Sequence, residues 1–367
     1  MVIAAPPPPV PLVLTAPAER EVSFGRIAGR VPRGTSWAVV VRADSRTLAV
    51  RRVTAGRFDF VVSLPRREMT VGVTAYAAGR AARRATVRHV VGLPRSAAPR
   101  SIRGTLDGRL AQTARGLARS FPGTSAMYLE DLVTGRGASW NARARFPAAS
   151  TLKVAIAVEA LRARVGKPAH GSSLDLLLRR TLVDSDNDAA NATESVFGGG
   201  GRVDELLRGL GLADTWMAGG YVHGTPVLPP IPSRIESQPS FGCCKYTTAS
   251  DLARLLTYIH LAAGGKGPLI AHYGASFTAS DARYLLYLLV RVPDRGKLGR
   301  YLVGGPYTLA HKAGWILAAR HDVGLVYWPG GVFVAAVMTY GTGVGPESDV
   351  LAGHAARAVL ARLREPG

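Results

Sequence analysis

The stretch Phe146–Ala160, FPAASTLKVAIAVEA, constrains the fold more than any other part of the chain. It reads as a helix that is apolar on nearly every side, so it must be enclosed by the rest of the structure. Yet a lysine, Lys153, stands one turn after Ser150 at the start of that helix. Taking an ammonium group out of water costs several kcal/mol unless a partner compensates it. Lys153 therefore needs either a partner or a chemical task.

Residues three apart on a helix share a face, which puts the Ser150 hydroxyl and the Lys153 amine on the same side. Serine at a helix start often serves only as a cap. A capping box, however, asks for Glu or Gln three residues on, and the positive end of a helix repels a cation. Lysine has the wrong sign for a cap. It has the right sign for a nucleophile pair, because burial lowers the lysine pKa until the amine can accept a proton from the serine.

Length and composition set the frame for that chemistry. The chain has 367 residues, 47% of them hydrophobic, enough for two folded domains with a sizeable core. Charged residues, glycine or proline interrupt every apolar run before membrane-spanning length. The N-terminal MVIAAPPPPVPLVLTAPAER is broken by prolines and lacks a basic leading segment, so it does not read as an intact signal peptide. Lys and Arg number 46 against 25 Asp and Glu, a net charge of +21 spread along the chain. With aromatics at 7% and no recognition motif, this excess argues against nucleic acid and leaves a solvated surface or attraction to anionic cell-envelope polymers. Cys243 and Cys244 are adjacent, and the eight histidines show no metal-ligand spacing, so neither a metal nor another cofactor is expected.

After a proline-rich tail over 1–19, residues 20–93 carry short alternating or β-branched runs separated by turn residues, the pattern of a small all-β sandwich resembling an immunoglobulin-like module. A Pro/Ser/Arg-rich linker follows over 94–103, and residues 104–367 read as an α+β domain. There, TSAMYLEDLVTGRGASWNARARF predicts a hairpin turning at Thr134-Gly135, and helices are expected over 173–183, 202–210, 248–263 and 280–292. Strands at YTLAHKAGWI, RHDVGLVYWPG and GVFVAAVMTYG precede a helix from about 347 to 364. Strands at both ends of the segment predict one antiparallel sheet closed by distant pieces of chain and flanked by helices.

Two further patterns join Ser150 and Lys153. Ser185-Asp186-Asn187 offers a hydroxyl and a carboxamide one residue apart, although Ser, Asp and Asn equally suit a helix-start turn. Lys312-Ala313-Gly314 puts a lysine on a strand beside a glycine, where a substrate can lie along the strand edge. Lys-x-Gly also occurs at Lys297-Leu298-Gly299, in a stretch that reads as a loop. SxxK, SDN and KTG in this order are the signature of class A β-lactamases and penicillin-binding proteins. The segment from about Ser101 onward resembles a class A β-lactamase-type serine hydrolase domain, with FPAASTLKVAIAVEAL similar to the nucleophile helix and HDVGLVYWPGG similar to the strand after KTG.

The resemblance implies that Ser150 forms an acyl-enzyme with Lys153 as proton acceptor or relay. It implies that Ser185 passes a proton to the leaving nitrogen, Asn187 holds a substrate amide, and Lys312 attracts a substrate carboxylate. It also implies an oxyanion hole from the backbone N–H groups of Ser150 and Trp315, beside Gly314. The chain departs from the family pattern twice. Ala313 replaces the usual Thr, removing a hydroxyl ligand for a carboxylate. Arg234-Ile235-Glu236 matches the start of the omega-loop pattern that holds the deacylating water, but Ser240 stands where Asn is expected. Glu236 is the candidate water activator; the alternative is an ion pair with Arg234. The expected activity is opening of β-lactam or related amide bonds, in an extracytoplasmic location. The alternatives are a D,D-peptidase or transpeptidase acting on peptidoglycan peptides, and a non-catalytic cell-envelope binding protein on a degenerate scaffold.

Overall fold

A computed structural model of the protein describes residues 12–33, 36–54, 56–77, 80–217, 220–221, 237–242, 245–341 and 344–365. The chain separates into two compact units, Met1–Arg95 and Ser96–Gly367.

The first unit is all β. Its strands are β1 (Val13–Ala16), β2 (Glu21–Ser23), β3 (Arg26–Arg30), β4 (Trp37–Ala43), β5 (Arg46–Val53), β6 (Arg57–Val61), β7 (Glu68–Ala77) and β8 (Arg80–Gly92). They form a three-stranded sheet, β1-β3-β6, and a five-stranded sheet, β2-β8-β7-β4-β5. The period-two alternation of β4 buries Trp37, Val39, Val41 and Ala43 and turns the residues between them outward. Those side chains pack with Ile27, Phe58, Val71 and Val73 in one apolar core.

The second unit begins with β9 (Thr105–Leu106), α1 (Gly108–Ser120), β10 (Thr124–Asp131), β11 (Arg136–Trp140) and β12 (Phe146–Pro147). Next come α2 (Lys153–Arg164), α3 (Ser173–Leu182), α4 (Asn187–Ser195), α5 (Gly200–Gly209) and β13 (Tyr246–Thr247). The chain continues through α6 (Ala249–Ala263), α7 (Gly267–Tyr273), α8 (Ala279–Leu289), β14 (Thr308–Ile316), β15 (Ala319–Trp328), β16 (Gly331–Tyr340) and α9 (Pro346–Arg364). The main sheet has the order β14-β15-β16-β10-β11-β9. Its centre joins the two ends of the segment, with β10 antiparallel to β16 from Thr124 opposite Tyr340 to Asp131 opposite Phe333. The two-residue β9 runs parallel to β11 and departs from the otherwise antiparallel pattern. Helices α1 and α9 cover the sheet through Leu110, Ala114, Leu351 and Ala355.

The helices expected from apolar periodicity are present with ends shifted by at most three residues, except that the helix read over Phe146–Ala160 begins only at Lys153. Helices α4 and α7 add to them; α4, NDAANATES, has too few large apolar residues to display a stripe. Residues Lys153 to Leu161 are all buried, as a helix without a polar face requires. Its two buried charges are treated differently. Glu159 is held by two nitrogens of Arg162, each at 2.6 Å. No carboxylate pairs with Lys153 among the described residues.

Candidate active site

Ser150 does not sit in the α-helix proper. It lies in a 3₁₀ turn, Ala149–Leu152, that feeds into α2 at Lys153. Ala149 enters this turn at φ +47°, a left-handed conformation costly for a residue with a side chain. The turn is pinned from both sides: Thr151 Oγ1 donates to the Ala148 carbonyl at 2.6 Å, and the Ala148 N–H donates to the Lys245 carbonyl at 2.9 Å. Because side chains three apart eclipse in a 3₁₀ turn, Ser150 and Lys153 project the same way.

The Lys153 amine is fully buried. It donates to the Ser185 carbonyl and, at 2.7 Å, to Asn187 Oδ1, and it lies 3.5 Å from Ser185 Oγ. The Ser150 hydroxyl has no hydrogen-bond partner among the described residues, so serine and lysine share a side of the turn without a bond between them. Burial pushes the Lys153 pKa down to about 7; the charges of Lys312 and Lys245 push the same way, and Asp186 opposes them.

Ser185 is placed by the turn that starts α4. It adopts φ +58°, while Asp186 caps the helix by accepting from Ala189 N at 2.9 Å and pairs with Arg180. Lys312, buried on β14, reaches across to donate to Ser185 Oγ at 2.8 Å and to the Ala313 carbonyl at 3.0 Å. Burial lowers its pKa to about 8, against the pull of Asp322 and Asp294. The Ser185 hydroxyl thus lies between two buried amines.

Strand β14 forms an edge of the main sheet, which leaves one side of its backbone free. Gly314 lies hard against the serine turn: a Cβ there would stand 2.7 Å from Ser150 N and 3.0 Å from Thr151 N. Only glycine leaves the Ser150 N–H accessible at this contact. Trp315 follows, 69% exposed, while Ala313 is buried. Six of the eight residues singled out from the sequence, Ser150, Lys153, Ser185, Asn187, Lys312 and Gly314, are therefore brought together, with Trp315 adjoining on β14. Glu236, and likewise Cys243 and Cys244, lie outside the described residues. Ser240 is exposed, its carbonyl accepting from Tyr340 Oη at 3.2 Å.

Tyr221 escaped sequence reasoning altogether. Its hydroxyl donates to the Ala149 carbonyl at 2.7 Å, directly before the nucleophile, and its N–H donates to Asn191 Oδ1 at 2.5 Å. Its ring is a floor under two amines, 4.7 Å from Lys153 Nζ and 4.2 Å from Lys245 Nζ. Lys245 also donates to the Gly220 carbonyl at 3.0 Å. Behind this ring lies Glu194, whose pKa burial raises to about 7 against the charge of Lys245. Gly220 has no room for a side chain, since a Cβ would meet Glu194 Oε2 at 2.5 Å.

The fold has counterparts among known proteins. In solved structures the same fold appears in PBP-A, 22% identical with a TM-score of 0.57, covering 72% of this chain and 99% of that one. It recurs in a β-lactamase from Sphaerobacter thermophilus DSM 20745, 21% identical with a TM-score of 0.52, covering 70% and 98%. The second unit thus has the fold of the β-lactamase and penicillin-binding serine hydrolases. The sequence model of the beta-lactamase enzyme family matches residues 109–167 and 165–363, and the chain belongs to that family. A search of curated protein sequences returned no match. Among the described residues no helix is long and apolar enough to cross a membrane.

Proposed function

We propose that the protein is an acyl-serine enzyme that opens the amide of a β-lactam or of a related D-alanyl peptide. Ser150 Oγ attacks the carbonyl carbon while its proton passes to the neutral Lys153 amine, directly or through a water. The oxyanion is met by the N–H groups of Ser150 and Trp315. As the C–N bond breaks, Ser185 gives its proton to the leaving nitrogen and takes one from the Lys153 ammonium 3.5 Å away, while Lys312 holds that serine and attracts a substrate carboxylate. The observation that carries this reading is the placing of the Ser185 hydroxyl between two buried amines, one of them with a pKa near neutrality. Peptidoglycan chemistry would place the protein outside the cytoplasm.

Tyr221 favours a long-lived acyl-enzyme. Its ring takes up space beside Lys153, and its hydroxyl is already committed to the Ala149 carbonyl. An apolar ring there supplies no base to activate a deacylating water, which suits a penicillin-binding peptidase better than a lactamase. In keeping with this, a mutant of PBP-A has been captured as an acyl-enzyme complex with penicillin G.

Incubation with a labelled penicillin followed by mass spectrometry tests both points. A single adduct on the Ser150 peptide is expected, and it should outlast many minutes of chase. Its rate of formation should rise through pH 7 as Lys153 loses its proton, and fall above about pH 8 as Lys312 loses its charge. Rapid release of hydrolysed penicillin would instead overturn the long-lived acyl-enzyme and favour a lactamase. Absence of both adduct and hydrolysis would support the non-catalytic alternative.

A further inference from the structure

The positive charge is less evenly spread than the linear sequence suggests. The first unit, a quarter of the chain, holds 16 arginines and no lysine against five carboxylates, a net charge of +11; the remaining 272 residues carry +10. Strand pairing then sorts these arginines. In the five-stranded sheet, Val39, Val41, Val71, Val73, Ala85 and Val87 face the core, so the residues alternating with them face outward.

On that outer face Thr74 lies opposite Arg84, and Gly72 lies between Arg42 and Thr86. A bulge at Arg88–His89, facing Thr70, brings Arg88 onto the same side. Thr70, Arg84, Thr86, Val87 and Arg88 line an open groove of about 690 Å³, with Glu19 as its one carboxylate. Beside Thr86 the outer face is bare at Gly72, where a Cβ would meet nothing within 4 Å. The guanidinium groups of Arg42, Arg84 and Arg88 form no ion pair or hydrogen bond among the described residues. Two uncompensated cations lining the groove, a third across the sheet at Arg42, and the hydroxyls of Thr70 and Thr86 form a surface made for a ligand with spaced negative charges and hydroxyls of its own.

We infer that this face binds a linear anionic glycan, a sugar polymer bearing carboxylate or phosphate groups. The cations supply charge complementarity along the groove, and Thr70 and Thr86 supply hydroxyls for sugar oxygens. Binding of single-stranded nucleic acid relies on successive aromatic platforms on which bases stack, and Tyr76 is the one aromatic that alternates outward on β7, too few for such a series. The unit would then hold the enzyme on its polymer independently of the reaction at Ser150.

Fluorescence anisotropy with the full chain tests this, using labelled alginate oligomers against neutral dextran and a single-stranded DNA of equal charge. Alginate should bind and weaken as salt is raised, dextran should not bind, and DNA should bind at least tenfold more weakly than alginate. The exposed pair Arg84→Glu/Arg88→Glu should weaken alginate binding at least tenfold, with unchanged thermal stability and unchanged acylation by penicillin. Alginate binding in the double variant within twofold of the parent would overturn the assignment of this face. DNA binding as tight as alginate would overturn the choice of a glycan.

Discussion

Replacing Lys153 by alanine is expected to slow acylation of Ser150 by about 10³-fold, within the range that a positioned general base contributes. The expectation rests on the depressed lysine pKa and on its place in the same turn as the serine. No second base is ready to substitute, because Lys312 is engaged with Ser185 and the Ala313 carbonyl. The fold should survive. Removing the amine leaves the Ser185 carbonyl and Asn187 Oδ1 unpaired, each a loss of about 1–3 kcal/mol. An opposing effect offsets part of that loss. Between about pH 7 and the ordinary lysine value the unfolded chain binds the proton that the folded protein releases, so the buried amine itself opposes folding at neutral pH. Stopped-flow acylation by a chromogenic penicillin, alongside a thermal melt, measures both quantities. Acylation at the parent rate would remove Lys153 from the mechanism.

Gly314→Ala should be nearly as damaging by a different route. The added Cβ would stand 2.7 Å from Ser150 N, closer than ordinary packing allows, with the rigid serine turn behind it. Either β14 retreats or the Ser150 N–H is covered, and both remove a donor from the carbonyl oxygen. Loss of one such donor costs about 10²–10³-fold in rate. Because β14 is an edge strand, it can retreat at modest cost in stability. The expected signature is therefore a large fall in acylation rate with a small change in melting temperature. A variant that acylates within threefold of the parent would show that this N–H is not used.

The parts of this site legible in the sequence were those that local spacing specifies. Ser150 and Lys153 lie in one turn, Ser185 and Asn187 in another, and the lysine and glycine of β14 in a third; each geometry is set within a few residues. The enclosure of α2 was legible too, because a helix without a polar face admits no other placement. Spacing could not tell a 3₁₀ turn from the first turn of an α-helix, since both put Ser150 and Lys153 on one side. Tyr221 was invisible because long-range bonds to Ala149 and Asn191 set its position. Glu194 was hidden for a related reason: α4 is rich in alanine and asparagine, and its buried face shows no apolar stripe. The basic face required knowing which strands pair, because Arg42 joins Arg84 and Arg88 only across the sheet.

Everything in the proposed mechanism depends on an amine at position 153 that can shed its proton near neutral pH. The chain contains only six lysines, so NMR with labelled lysine side chains, assigned through Lys153→Arg, can follow this one amine through a pH titration of the full protein. A midpoint close to 7 is the predicted result. A midpoint above 9 would contradict it and leave Ser150 without a base.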